Sequence, residues 1–437
     1  MGNGERGAGK GMALLLLIAL SACASSPVAS PGSLAIPADV AGLVHAGESN
    51  TAEEYALLDR MSATWLLATF YWSGIEPADD QWNFDSYDRY VDTAQAAGKK
   101  IVGILGYTVS WIHDGGKYRR YIPPDKLHFY LDYVRQTVEH FRGRVDAWCI
   151  WNEPNFHFWQ GSRDEFFVLA RQAADVVKET DPNVTLLGGA FNRGVFGLPA
   201  AYIRGLFESG AMEKADAVAF HPYELNPART ARLYSDFRAI VAEYGFADRI
   251  WVTEVGYPTG GLYPTATSEK KFPGFVVKTF VNLATEGAKT VMWYQLFDPV
   301  QRTRTNSENF FGLVRSKTDY TSKGAEAFRL CAVHLAGTTY RPDLPQRDGT
   351  SLRDRVPGSL RAFYFERPEG GGTLVLWKDG GAVKIVLHGL ADGYTLHDPV
   401  SGSATAVPGE TVLEIGTMPV FVTWQGGGET VSVRSGR

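Results

Sequence analysis

Residues 145–155 read Val-Asp-Ala-Trp-Cys-Ile-Trp-Asn-Glu-Pro-Asn, an apolar run that stops at Asn152, Glu153 and Pro154. A short run of this kind, Val145–Trp151, closed by a proline that cannot extend it, reads as a buried strand with a glutamate at its end. A second run, Ile250–Glu254, places Glu254 in the same position and is followed by Val255-Gly256-Tyr257. Similar runs stand on either side at Val40–His45, Thr64–Trp72, Lys100–Tyr107, Val184–Ala190, Ala215–His221 and Thr290–Leu296. Helical patterns lie between them, clearest at Leu127–Phe141, Asp164–Glu179, Ala231–Tyr244 and Glu269–Glu286, and Ser322–Leu335 follows the last strand. Eight strands alternating with eight helices predict an α/β fold, a (β/α)8 TIM barrel over residues 39–338.

After about Arg341 the pattern changes. Short alternating stretches at Ala362–Glu366, Thr373–Trp377, Val383–Leu387 and Val420–Trp424 are separated by Gly-rich turns. They predict a C-terminal antiparallel β-sandwich domain over 339–425, followed by a frayed tail, 426–437. At the other end, Arg6 and Lys10 precede an apolar run, Met12–Leu20, that is too short to span a bilayer. The run ends in Leu20-Ser21-Ala22-Cys23, which resembles the lipobox of bacterial lipoproteins. That resemblance implies a signal peptide over 1–22, a lipid anchor on Cys23 and attachment to the cell envelope. Ala24, rather than an Asp, favours the outer membrane in a Gram-negative host. Residues 23–38, rich in Ser, Pro and Ala, read as a flexible tether. Cys149 and Cys331 lie in apolar stretches and read as buried free thiols, since nothing near them has metal-ligand spacing.

In a barrel of this kind the chemistry sits at the C-terminal ends of the strands. Closing it brings Glu153 and Glu254 to one mouth. Paired carboxyls suit cleavage of a glycosidic bond: one protonates the leaving oxygen, and the other, ionised, attacks or stabilises the sugar ring. The two must then hold different pKa values, so their surroundings must differ.

Asn-Glu-Pro at 152–154 and Thr-Glu-Val-Gly-Tyr at 253–257 resemble the two signatures of clan A glycoside hydrolases, nearest by pattern to family 39 and related bacterial exopolysaccharide hydrolases. Trp72-Ser73-Gly74-Ile75-Glu76-Pro77, Trp82-Asn83-Phe84-Asp85 and Leu105-Gly106-Tyr107 extend the resemblance along the barrel. It implies a retaining enzyme with Glu153 as acid/base, Glu254 as nucleophile and Asn152 on the sugar 2-hydroxyl. In Phe220-His221-Pro222-Tyr223, Tyr223 would bond Glu254 and His221 a sugar hydroxyl, unless both are simply packed at the rim. Trp293 matches the platform under the cleaved sugar, with core packing as the alternative. Tyr107 and Trp111 could line further subsites, as could Phe156, His157 and Trp159, or merely cover the barrel mouth. Glu76 reads as structural. One feature departs from the pattern: relatives carry Arg and Asp on the second strand, where this chain has Leu67 and Thr69. Without that cation, the pKa of Glu254 should rise.

A net charge of −5, with 43 basic and 48 acidic residues, gives no basic face for nucleic acid. No phosphate loop, His-Glu-x-x-His or Gly-x-Ser-x-Gly is present, so the sequence implies no cofactor and no metal. The expected partners are a polysaccharide or oligosaccharide substrate and, through the anchor, a membrane. Two rival readings remain: a non-catalytic polysaccharide-binding lipoprotein on a degenerate barrel, favoured by Leu67, and an envelope structural protein whose aromatics only fill a core. The sequence leaves open the sugar, the linkage, endo or exo action, and the oligomeric state.

Overall fold

The computed structural model describes residues 32–116, 119–193, 197–262, 266–301, 303, 305–342, 359–390, 392–426 and 431–435. After a two-residue strand, β1 (Leu34–Ala35), the barrel strands are β2 (Ala41–Val44), β3 (Trp65–Tyr71), β4 (Lys100–Gly106), β5 (Ala147–Ile150), β6 (Thr185–Asn192), β7 (Ala217–His221), β8 (Ile250–Val255) and β9 (Val291–Trp293). Each pairs in parallel with the next, and β9 pairs with β2 to close the barrel. These are the eight runs read from the sequence.

The helices are α1 (Ala52–Arg60), α2 (Trp72–Ile75), α3 (Asp85–Ala96), α4 (Leu127–His140), α5 (Arg163–Thr180), α6 (Ala200–Glu208), α7 (Pro227–Ala242), α8 (Phe272–Thr285) and α9 (Ala325–Leu335). Their starts carry local signals. Ser162 and Glu165 form a reciprocal capping box on α5, and Asn226 caps α7 ahead of Pro227.

Strand alternation divides the apolar residues into two layers. Val44, Leu67, Val102, Ile104, Cys149, Leu187 and Met292 fill the barrel interior with small Ala147, Ala217 and Ala219. Leu66, Phe70, Leu105, Trp148 and Ile150 face outward and join Tyr130, Tyr133, Val134 and Val138 of α4. At Gly42 a Cβ would lie 2.7 Å from Met292 Cγ and 2.9 Å from Trp65 Cβ, so only glycine lets both side chains plug that end of the barrel. Cys149 and Cys331 are buried free thiols, as expected.

After β9 the chain forms a hairpin, β10 (Val314–Ser316) and β11 (Asp319–Ser322), and then α9. The C-terminal strands are β12 (Thr339–Arg341), β13 (Leu360–Glu366), β14 (Gly372–Lys378), β15 (Val383–His388), β16 (Tyr394–His397), β17 (Ala404–Val407), β18 (Val412–Ile415), β19 (Val420–Trp424) and β20 (Ser432–Ser435). They form two antiparallel sheets, β1-β12-β13-β14-β19-β16-β17 and β18-β15-β20, around a core of Leu374, Leu376, Ile385, Leu387, Val422 and Trp424. The larger sheet meets the barrel helices: His334 of α9 lies 4.5 Å from His397, and Lys278 of α8 lies over Trp377.

Two boundaries differ from the sequence reading. The end of the supposed tether, Leu34–Ala35, pairs with Tyr340 and Thr339 and buries Ile36, so it belongs to the sheet. The supposed frayed tail supplies β20, which pairs with β15 and buries Val431 and Val433. Both segments are short, and their pairing partners lie far away in sequence or in the other sheet strands, so local composition did not reveal them. The signal peptide and Cys23 lie outside the described residues.

Candidate active site

The turn after β5 aims Glu153. Trp151 and Glu153 take φ of 65° and 43°, left-handed conformations that cost about 1–3 kcal/mol each for non-glycine residues. Three bonds hold the turn: Glu153 N to the Ala190 carbonyl (3.1 Å), Phe156 N to the Glu153 carbonyl (3.0 Å) and Trp151 Nε1 to the Phe158 carbonyl (3.0 Å). Glu153 Oε1 accepts from Asn192 Nδ2 at 2.7 Å and faces His221 Nδ1 at 2.8 Å. The other ring nitrogen of His221 meets Thr253 Oγ1 at 3.0 Å, while Nδ1 is also 3.7 Å from Glu254 Oε2. Tyr223 donates its hydroxyl to Glu254 Oε2 at 2.9 Å. His221 thus stands between the two carboxyls, contributed by β7 and supported from β8.

One oxygen of Glu153, one of Glu254 and a ring nitrogen of His221 all lie within 4.8 Å of one another. Among the described residues this is the one trio able to offer a metal ion three ligand atoms. Glu153 already bonds His221 and Asn192, and Glu254 bonds Tyr223 with His221 3.7 Å away, which makes them a proton-handling network as they stand. Burial raises the pKa of Glu254, and the Glu153 charge adds to this; His221, the Tyr223 hydroxyl and His45 pull it back. Burial alone would keep His221 neutral, but the Glu254 and Glu153 carboxylates outweigh it and raise its pKa. With Leu67 buried in the barrel interior, His221 and His45 supply the positive charge that strand β3 lacks.

Most of the expected site residues converge. Asn152 is buried, and its Oδ1 has no hydrogen-bond partner among the described residues. Tyr107 lies at the mouth, its ring against Trp151, Phe158 and Tyr71. Trp111 does not join them: its indole donates to the Glu76 carbonyl and packs on Trp72 and Phe129, bracing the wall. Glu76 is structural, accepting from Trp72 Nε1 and the Asp80 amide.

Trp293 is a correction. It is 0% exposed and packs outward between Tyr257 and Phe272, so it is no platform at the mouth. The neighbouring residue points inward instead, because a shift of one residue along a strand reverses the face. Tyr294 meets His45, Tyr223 and Phe311 at ring distances of 5.7, 6.3 and 5.4 Å, and bonds Glu308. Three further residues went unread: Asn192, His45 and Thr253. Asn192 and His45 each close a barrel strand, and that position was the available signal. His45 pairs with Glu48 at 2.8 Å; burial lowers its pKa, but Glu48, with the Glu254 and Glu308 charges, more than reverses this.

Two cavities lie among the loops that follow the barrel strands. One, of about 300 Å³, is lined by His45, Glu48, Gln295 and Lys317 among others; the other, of about 720 Å³, is lined by Arg119, Tyr121, Gln160, Gly161, Ser162 and Glu165.

No family model matches the chain. It is 23% identical over 205 residues to endo-1,4-beta-xylanase B of Thermotoga neapolitana, a match covering 44% of this chain and 57% of that protein. Its fold is that of a family 39 glycoside hydrolase from Bacteroides cellulosilyticus WH2, with a TM-score of 0.73, 20% identity and coverage of 89% of this chain and 81% of the other. A monomeric beta-xylosidase from Caulobacter crescentus CB15 also shares it, with a TM-score of 0.60, 13% identity and coverage of 89% and 96%.

Proposed function

We propose that this chain is a glycoside hydrolase that cleaves O-glycosidic bonds of a polysaccharide with retention of anomeric configuration. The observation that carries this reading is the convergence of Glu153 and Glu254 at the C-terminal mouth, with ligand oxygens within 4.8 Å. Nearest oxygens inside that limit fit the roughly 5–5.5 Å carboxyl spacing of double displacement better than the roughly 6.5–9.5 Å that leaves room for an attacking water. The glycoside hydrolase and beta-xylosidase names of the structural neighbours support the coarser reading, cleavage of a glycosidic bond.

In the first step a Glu254 carboxylate oxygen forms a bond to the anomeric carbon. The bond to the leaving oxygen breaks, and Glu153 gives that oxygen its proton. Esterified Glu254 carries no charge, so Glu153, now ionised, has no like-charged neighbour and can take a proton from water in the second step. Tyr223 holds the attacking oxygen, and His221 balances both carboxylates. The free Oδ1 of Asn152 suits a sugar hydroxyl. We also place the protein in the cell envelope, anchored through Cys23.

The test is hydrolysis of a polysaccharide panel, beginning with xylans and the host's own exopolysaccharide. Wild type should release oligosaccharides from at least one, and Glu254→Gln from none. Glu153→Ala should still release an acidic aryl leaving group in a burst, with turnover restored by azide as a retained glycosyl azide. Wild type that binds polysaccharide and hydrolyses nothing would favour the non-catalytic binder. Separately, Cys23→Ala should leave the membrane fraction or fail to mature; unchanged membrane partition contradicts the anchor.

A further inference from the structure

The acid/base carboxyl protonates the departing half of the substrate, so the loops beyond Glu153 on that side receive it. Tyr107 and Phe158 form a continuous wall there, with centroids 5.7 Å apart and planes 23° apart. The Arg120 guanidinium lies 4.6 Å over the Phe158 ring. Its backbone is fixed to Gln160 in both directions, Arg120 N to Gln160 Oε1 (3.0 Å) and Gln160 N to the Arg120 carbonyl (2.7 Å). Next to it, exposed Arg119 lines the 720 Å³ cavity.

Several other cations have carboxylate partners: Arg193 and Arg229 with Glu224, Arg315 with Glu269, and Lys323 with Asp298. Neither Arg119 nor Arg120 has an ion-pair partner among the described residues. The carboxylate lining the same cavity, Glu165, is engaged by Ser162 N (2.7 Å), Ser162 Oγ (2.8 Å) and the Tyr121 hydroxyl (3.0 Å). Arg120, stacked at the end of the aromatic wall, and its sequence neighbour Arg119, lining the cavity, each offer a guanidinium fork that suits a planar anion, which arginine grips through paired N–H donors.

We propose that Arg120, stacked on the Phe158 wall, and Arg119, lining the adjoining cavity, form a subsite for a carboxylate-bearing sugar residue in the departing half of the substrate. This deepens the glycosidase reading and rests on it for the direction of the chain. The substrate class is a carboxylated polysaccharide, such as one containing uronic acid.

Binding is measured with Glu254→Gln, so that turnover does not interfere. The probes are glucuronoxylan, polygalacturonate and alginate, each beside its own carboxyl-reduced form. At least one carboxylated polymer should bind about tenfold more tightly than its reduced form, as expected for a charged hydrogen bond worth about 1.5 kcal/mol or more. Adding Arg119→Gln and Arg120→Gln together should erase that difference, and leave binding of the reduced form and the thermal melting unchanged. Lys at both positions should restore part of the preference. Equal affinity for every polymer pair, no binding to any of them, or a preference that survives the double substitution overturns the subsite. If wild type hydrolyses neutral polymers without this preference, the subsite fails alone. If the preference is found but nothing is hydrolysed, the glycosidase reading fails and the binding site stands.

Discussion

On the side of β5, β6 and β7, Asn192 and His221 meet Glu153 at 2.7 and 2.8 Å, and Thr253 fixes the far side of the His221 ring at 3.0 Å. Across the mouth, Tyr294 and His45 of the β9 and β2 loops reach Glu254 through ring contacts and charge, while Tyr223 makes its direct bond. The first wall fixes geometry and, through His221, carries the largest favourable charge on Glu254; the second adds a smaller charge and an aromatic face. Losses on the first should therefore appear mainly in kcat, and losses on the second in substrate binding and in the position of the pH profile.

The largest expected effect is at His221. His221→Asn keeps a short polar side chain near Glu153 but removes the largest charge favouring ionisation of Glu254. We expect kcat to fall about 10²-fold or more, the range for a group governing proton transfer, and the acid limb of kcat/KM to move to higher pH. A full-rate His221→Asn enzyme would contradict the hydrogen-bonded wall.

The Trp293–Tyr294 pair sharpens the comparison next. Tyr294→Ala should lower kcat/KM about tenfold, with most of the change in KM, by removing an aromatic face at the mouth. Trp293→Phe should leave kcat/KM near wild type and lower the melting temperature, because that ring lies in the layer between barrel and helices. The opposite assignment of the two effects would restore Trp293 as the platform.

The smallest effect is at His45. Glu254 must be ionised to attack, and its pKa is raised, so activity should fall as pH drops through a value above the ordinary glutamate range. On that limb His45 is charged, since its own pKa is raised. His45→Asn should therefore shift the limb upward by a fraction of a unit, with little change in kcat at neutral pH. An unmoved limb would separate His45 from Glu254.

The two walls were also unequally legible in sequence. Glu153 and Glu254 each end an apolar run at a recognisable signature, and the barrel rules do the rest. In Met292-Trp293-Tyr294-Gln295 nothing marks the inward face, because both faces of a parallel barrel strand are buried and apolar. Asn192 was missed because the register shifts between Gly188 and Phe191, carrying β6 two residues past the end of its apolar run. His45 belongs to no motif; only closure of β9 onto β2 brings it beside Tyr294. The barrel–sheet contact was hidden for the same reason. Burial, helped by charge on His397, Arg367 and Arg329, pushes His334 down to about 3. It is neutral in the folded protein and protonates near pH 6.5 when unfolded, so its stabilising share is full above 6.5 and declines as pH falls toward 3. His334→Phe should flatten the fall in melting temperature between pH 7 and 4; an unchanged slope would remove His334 from the acid sensitivity of this interface.

The retaining assignment of Glu153 and Glu254 is tested most directly by the stereochemistry of turnover. Proton NMR of the first reducing sugar released by wild type, read before mutarotation, should show the anomeric configuration of the bond that was cleaved. An inverted first product would contradict double displacement through Glu254.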